Sequence, residues 1–235
     1  MFWTLLLAHF IADYPLQFPW IIRSKRTLRG LSAHVVIHLA VMSLLASPSL
    51  AQVWPQLIVI AAVHFGIDVG KNTVMGWRPR WVVRSYLVDQ ALHILVLWLI
   101  CTWIGQRAPA TTSLLPVSLA TLLSGYLLAT YVWFISERIF AHQNEPYVQE
   151  ITRYATGRMV TRGLLLTLFL GLAGLIFSPT SVLARNILPP HTPGLALAAT
   201  LPYFRSTFGR RAAITDTLVA FVLACGVTAV WLFGA

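Results

Sequence analysis

Two short stretches of this sequence place histidine and aspartate four residues apart inside apolar segments: His9 with Asp13, and His64 with Asp68. Residues four apart share one face of a helix, and ionisable side chains within an apolar helix are costly and usually functional. Imidazole and carboxylate groups are ligands for divalent ions such as Zn, Fe or Mn. The two stretches therefore predict metal chemistry on two helix faces.

The same spacing occurs twice more, and the four pairs form an internal repeat with an offset of 55 residues. His34 and His38 map onto Asp89 and His93 in the second copy. Self-similarity of this kind indicates a duplicated two-helix hairpin. Both copies enter the membrane in the same direction, which predicts a four-helix core with a pseudo-two-fold axis along the membrane normal. The predicted metal ligands are His9, Asp13, His34, His38, His64, Asp68, Asp89 and His93.

Eight ligands are too many for one tetrahedral ion, whereas two ions about 3.5–4 Å apart would use them. The expected cofactor is a divalent metal, Zn, Mn or Fe. Asp68 and Asp89 are the candidate catalytic carboxylates. Lys71, the third candidate, either lies at the rim toward a substrate anion or pairs with Asp68 when no metal is bound. Side chains that flank this set and could support the ligands are Gln17, Asn72 and Gln90.

A structural role is the alternative for these polar residues. Hydrogen bonds between histidine and aspartate could hold helices together at roughly 0.6–2 kcal/mol each. Three charged, unpaired aspartates inside a membrane would cost about 8–10 kcal/mol, which is a large penalty for adhesion alone. The sequence therefore favours a metal-binding or proton-handling site.

The composition is that of a polytopic membrane protein. Mean hydropathy is +0.74 and only 10% of residues are charged, against about 25% in soluble domains. We expect an all-α bundle of about seven or eight transmembrane helices, with a core domain at 1–104 and a C-terminal region at 105–235 that contains an interfacial segment at 136–162. The predicted spans are 2–22, 31–46, 53–69, 86–104, 114–135, 163–177 and 212–233, with a broken or re-entrant segment at 181–204.

The net charge of +10 arises from basic residues between the spans, which is the positive-inside pattern and argues against nucleic acid as a partner. Residues 23–30, 71–84 and 137–162, placed in the cytoplasm, contain twelve of the seventeen basic residues, and Arg205, Arg210 and Arg211 raise this number to fifteen if the broken segment crosses the membrane. The N-terminus then faces outward, with no cleaved signal peptide. The metal site lies in the inner half of the membrane.

Four motifs carry a resemblance to a known family. In order they are His9-x3-Asp13-x3-Gln17, His34-x3-His38, His64-x3-Asp68-x2-Lys71 and Asp89-Gln90-x2-His93. Over residues 5–95 the chain resembles the bacterial integral-membrane family known as domain of unknown function 3307. The C-terminal half diverges, since Gly157-Arg158 is present but Arg162 lacks the neighbouring glutamate expected there. The resemblance implies a multi-pass protein of the bacterial cytoplasmic (inner) membrane.

Three functions remain open on these residues. The first is a metal-dependent hydrolase acting on a phosphate or ester of a membrane lipid. The second is a di-iron membrane oxidoreductase with the same ligands. The third is a non-enzymatic accessory subunit with partner subunits in a larger membrane complex. Bound metal separates them: zinc or manganese favours hydrolysis, iron favours oxidation, and no metal favours the accessory subunit.

Overall fold

The computed structural model describes residues 1–108, 111–177 and 207–233, and within these ranges the chain is helical and contains no strand. It divides into two compact units, Met1–Ser124 and Gly125–Ala235. The first unit therefore includes residues 105–124 in addition to the predicted core 1–104.

The first unit is built from five helices and the start of a sixth. Short 3-10 turns at Ser47–Ser49 and Pro79–Trp81 separate the longer helices. The helices are α1 (Phe2–Asp13), α2 (Pro19–Ser24), α3 (Leu28–Leu45), α4 (Leu50–Trp77), α5 (Val82–Arg107) and α6 (Val117–Leu127).

Four of these helices form a closed ring, in which α1 packs on α3, α3 on α4, α4 on α5, and α5 on α1. Helices α1 and α4 are thus opposite each other, as are α3 and α5. This is the order that a duplicated hairpin requires, although the superposition of the two copies stays a prediction. Fully buried apolar side chains, among them Leu7, Met42, Leu57 and Leu97, fill the interior.

The first predicted span, 2–22, is not one helix. Helix α1 ends at Asp13, and α2 begins at Pro19 after an irregular turn. Pro15 disfavours helical geometry at Tyr14, while Pro19 occupies the first helical position, where its missing N–H costs nothing. At 1.5 Å per residue α1 is about 18 Å long, shorter than the roughly 30 Å hydrocarbon core. Asp13 therefore lies at a helix end.

The corner between α2 and α3 fixes the second pair of candidate ligands. The Thr27 hydroxyl accepts from the Gly30 amide at 3.2 Å and donates to the Ser24 carbonyl at 2.8 Å. Gly30 packs so closely on Ser24 that a Cβ would overlap its carbonyl oxygen. The cap and the close contact fix the start and the rotation of α3, and hence the direction in which its histidines point.

Six helical segments in the described ranges are long and apolar enough to cross a membrane, which makes the chain a multi-pass membrane protein. The predicted broken segment at 181–204 lies outside the described residues. The six segments are Leu28–Leu45, Ser47–Trp77, Pro79–Arg107, Val117–Phe140, Ala155–Phe177 and Gly209–Phe233.

In the second unit, α6 passes through a π-helical turn, Leu128–Val132, into the next helix without interruption. The two longest helices, α9 and α10, pack on each other. The helices are α7 (Trp133–Phe140), α8 (Glu145–Arg153), α9 (Ala155–Phe177) and α10 (Thr207–Phe233).

One prediction for the second unit is wrong. The interfacial segment was expected to reach residue 162, but residues 155–162 belong to α9, where Arg158 and Arg162 are each 1% exposed. Carboxylates within the unit pair these arginines, which lets them lie inside a helix bundle. They are therefore not among the basic residues between spans that indicate the topology.

Candidate metal centre

The four helices of the ring each contribute one pair of polar side chains to a single buried cluster. None of the eight predicted ligands is more than 9% exposed. Each pair is spaced i, i+4, so its two side chains point from one helix face into the ring. The pairs are His9/Asp13 on α1, His34/His38 on α3, His64/Asp68 on α4 and Asp89/His93 on α5.

Asp13 is the centre of the cluster. Its Oδ1 lies 3.0 Å from His34 Nε2 and 3.3 Å from His38 Nε2, and its Oδ2 lies 3.4 Å from His9 Nε2. Gln90 also donates to Oδ2, at 3.4 Å. The position of Asp13 at the end of α1 allows groups from three other segments to reach it.

The five imidazoles stack into one group beside Asp13. The ring centroids of His38 and His64 are 3.9 Å apart, and those of His64 and His93 are 4.1 Å apart. A cavity of about 10 Å³ lies among His9, His38, His64 and His93, closed on its other side by apolar residues. The cluster is therefore densely packed and buried.

Three sets of side chains each bring one potential ligand atom per residue within 4.8 Å of the others. A tetrahedral ion with bonds of about 2.0–2.1 Å holds neighbouring ligand atoms about 3.3–3.4 Å apart. The Nε2 atoms of His34 and His64 are 3.3 Å apart, and His64 Nε2 is 3.4 Å from Asp68 Oδ2. These separations fit metal ligation. The sets are Asp13/His34/His38/His64, His9/Asp13/His93 and His64/Asp68/His93.

Several buried atoms of the cluster have no hydrogen-bond partner among the described residues. They belong to residues of all three sets and of α5. Asp68 Oδ2, for example, has histidine nitrogens at 3.4 and 3.6 Å that do not meet hydrogen-bond geometry. Buried polar groups in proteins are nearly always paired, so the donor set suits a cation. The atoms are His9 Nε2, His34 Nδ1, Asp68 Oδ2, Asp89 Oδ1, His93 Nδ1 and His93 Nε2.

Two lysines offset part of the negative charge of the three aspartates in the cluster. Lys71 Nζ lies 2.7 Å from Asp89 Oδ2, and Lys25 Nζ lies 3.8 Å from Asp13 Oδ1. Lys71 thus pairs with Asp89, which faces it from α5, whereas Asp68 was the partner named in one of the two alternatives for this lysine. Lys71 is partly exposed and lies at the rim of the cluster, while its contact with a substrate anion stays a prediction.

Of the three flanking amide side chains, two support the candidate ligands, which is the role that the sequence predicted for all three. Gln17 donates to Asp13 Oδ1 at 3.3 Å and Gln90 to Asp89 Oδ2 at 3.1 Å, as supporting contacts. Asn72 instead donates to the Lys25 backbone carbonyl at 2.9 Å. That contact helps to hold the segment carrying the lysine beside the cluster.

Three participants were missed in the sequence. Lys25 was counted only among the basic residues of its loop. Of the basic side chains in that loop, the Lys25 ammonium is the one that comes within 3.8 Å of Asp13. Tyr14 and Tyr86 share a hydrogen bond of 3.0 Å between their hydroxyls, and Tyr14 donates to Gln90 Oε1 at 3.3 Å. Tyr14 directly follows Asp13, and this adjacency was the available signal.

A second buried polar cluster lies in the second unit and was also missed. Arg158 donates to Asp216 Oδ2 and Oδ1 at 3.0 and 2.7 Å and to Glu137 Oε1 at 3.0 Å. Arg162 donates to Asp216 Oδ1 at 2.8 Å. Tyr147 donates to Glu137 at 3.1 Å, and burial together with that carboxylate raises the pKa of Tyr147. Two cations thus neutralise two anions, which indicates a structural network.

The π-helical turn takes part in this network. Arg162 also donates to the backbone carbonyls of Ala129 and Thr130, the latter at 3.3 Å. A π turn releases carbonyls from the regular i to i+4 pattern. The guanidinium supplies the donors that those carbonyls would otherwise lack.

Residues 1–123 match the model of a family described as a protein of unknown function (DUF3307). The match covers more than half of the chain and all four ligand-bearing helices, so the chain belongs to this family. No curated protein and no solved structure matches the chain.

Proposed function

We propose that this member of the DUF3307 family is a membrane-embedded, metal-dependent hydrolase acting on a phosphate or ester of a membrane lipid. The observation that carries the proposal is the set of unpaired buried nitrogen and oxygen atoms within the cluster of histidines and aspartates. A divalent cation would give these atoms a partner.

The same observation argues against adhesion between helices as the role of the cluster. A buried donor or acceptor left without a partner costs about 1–3 kcal/mol. Residues selected only to hold helices together would mostly be paired, as Arg158 and Asp216 are in the second unit, where Glu137 Oε2 lacks hydrogen-bond geometry but lies 2.9 Å from Arg158. The unpaired atoms of the first unit point to a bound ion.

When bound, the metal would polarise the scissile bond and lower the pKa of a nearby water. Asp89 is better placed than Asp68 to take the proton, because Asp89 lines an open groove between α4 and α5 and Asp68 does not. Lys71 neutralises Asp89 Oδ2 at 2.7 Å and would contact the anionic group of the substrate. Gln90 contacts Asp13 and Asp89 and would orient both carboxylates.

The proposal includes a location. Basic residues in the 23–30 and 71–84 segments favour a cytoplasmic position for both. With that orientation in a bacterial inner membrane, the metal site would lie in the cytoplasmic half of the bilayer.

Metal content of the purified protein tests the function first. Zinc or manganese, measured by mass spectrometry, supports a hydrolase, and phosphate or fatty-acid release from lipid vesicles then reports turnover. Asp89→Asn should abolish release, while His142→Gln, outside the cluster, should not. Iron with a near-ultraviolet absorption band would support the oxidoreductase instead. Protein that takes up no metal would overturn the proposal and favour an accessory subunit.

A further inference from the structure

Helices α4 and α5 border a groove of about 860 Å³ whose inner end reaches Asp89 of the candidate metal centre. Its α4 side is formed by residues that include Val63, Gly66, Ile67 and Gly70. A Cβ added at either glycine would meet no atom within 4 Å, so the glycines leave open space. Pockets for small ligands span about 300–1,000 Å³, and this groove falls in that range.

We propose that this groove binds one acyl chain of an anionic membrane lipid, with the lipid headgroup at Lys71 and Arg84. The proposal rests on the proposed function, for which it names the substrate class and the path of entry. The lipid would enter sideways from the bilayer, and its headgroup would stop beside Asp89.

The walls suit an acyl chain. Apart from its charged end, where Trp81 and Ser85 also lie, the groove is lined by aliphatic side chains and glycine, including Val88 and Leu92 on α5. From Val63 to Val74 the α4 wall extends about 16 Å at 1.5 Å per residue. An apolar chain can therefore lie along the two helices without burying a polar group.

The charged end suits an anion. Residues 69–88 contain four basic and no acidic side chains. The Arg84 guanidinium lies 5.5 Å from the centre of the Trp81 ring, a cation–π contact that holds it at the groove. With Lys71, Arg84 and Asp89 the lining has a net charge of one positive unit. Basic clusters of this kind attract anionic lipid headgroups.

Asp89 connects the charged end of the groove with the candidate metal centre. It is 3% exposed, it lines the groove, and its Oδ1 has no hydrogen-bond partner among the described residues. Its other oxygen is held by Lys71. Because Oδ1 is among the unpaired atoms assigned to the metal, a headgroup held beside Asp89 would lie next to the metal site.

A neighbouring helix is the competing occupant, because Gly66-x3-Gly70 has the spacing of a helix-packing motif. The charged lining favours lipid. An apolar helix in the groove would press aliphatic side chains against Lys71 and Arg84, and it would leave the Arg84 guanidinium without an anion.

Photocrosslinking in nanodiscs of phosphatidylcholine tests the inference. The probe is an alkyl phosphate with a diazirine near its methyl end, and an alcohol of the same chain is the neutral comparison. The phosphate should label residues 63–92 most strongly. Gly70→Leu fills the groove and should lower labelling about tenfold, and Lys71→Met should lower it about fivefold. Gly105→Leu is the matched control, since a Cβ there also meets open space but outside the groove.

Equal labelling by the phosphate and the alcohol, or full labelling of Gly70→Leu, would overturn the lipid site. Dimers in the nanodiscs that Gly70→Leu abolishes, measured by mass photometry, would overturn it in favour of a second copy. Metal content is measured on the same samples. Protein that holds metal but fails these tests loses only the lipid inference, whereas labelled protein that takes up no metal loses the hydrolase.

Discussion

Replacement of Asp13 by asparagine tests the metal centre most directly. Asp13 belongs to two of the three ligand sets, whereas Asp68 belongs to one. Asparagine keeps the shape of the side chain but removes the charge and one acceptor oxygen. The two variants therefore differ in how many sets they impair, and Asp13→Asn should have the larger effect.

The expected size follows from the role of the carboxylate. Loss of a group that merely supports a ligand weakens metal binding 10–100-fold. Loss of a ligand shared by two sets should reach at least the upper end, about 100-fold, or about 2.7 kcal/mol. Asp68→Asn should weaken binding less and should leave the Asp13/His34/His38/His64 set intact.

The assay is metal bound per protein, determined by mass spectrometry after equilibration with a graded series of chelators. Glu145→Gln, which alters an exposed carboxylate on α8, is the control for the charge change. Circular dichroism should show unchanged helix content in all three variants. An Asp13→Asn protein with the stoichiometry and affinity of the original would refute the assignment of Asp13 as a ligand.

Three further outcomes are expected. Arg162→Met should destabilise the second unit by about 3–5 kcal/mol, because it leaves a buried carboxylate with fewer donors; thermal unfolding in detergent measures this, and a change below about 1 kcal/mol would contradict it. Gly30→Ala should lower the unfolding temperature because its methyl group overlaps the Ser24 carbonyl, and an unchanged temperature would show that this corner is not close-packed. In a cysteine-free background, an impermeant thiol reagent should label Gln52→Cys but not Arg26→Cys in intact cells; the reverse pattern would invert the topology.

The sequence predicted the eight clustered side chains because each pair repeats at a spacing that fixes a helix face. His34 and His38 had to face the same way, and four apolar helices could bury such pairs only by turning them toward one another. The role of each as a metal ligand stays a prediction. The short first helix was harder to foresee, since its end depends on how Pro15 and Pro19 act together.

The second cluster escaped prediction for a different reason. Asp216 is 58 positions from Arg158 and 54 from Arg162, and only tertiary packing brings them together. Two signals were nevertheless present in the sequence. The arginines have the same i, i+4 spacing as the ligand pairs, and Asp216 is a single acid in a long apolar helix, where a partner is to be expected.

The π turn at Leu128–Val132 makes the second unit sensitive to chain length as well as to residue type. Such a turn contains one residue more than an α-helical path would. Deleting a single residue there would convert the turn into regular α-helix and leave Trp133–Phe140 in nearly its present rotational phase, because the wide turn absorbs the extra residue. The carbonyls of Ala129 and Thr130 would then return to the regular helical pattern, and Arg162 would lose both acceptors although no side chain of the ionic network had changed. Homologous chains that keep an arginine at position 162 should therefore keep the extra residue of the π turn even where the apolar residues around it vary.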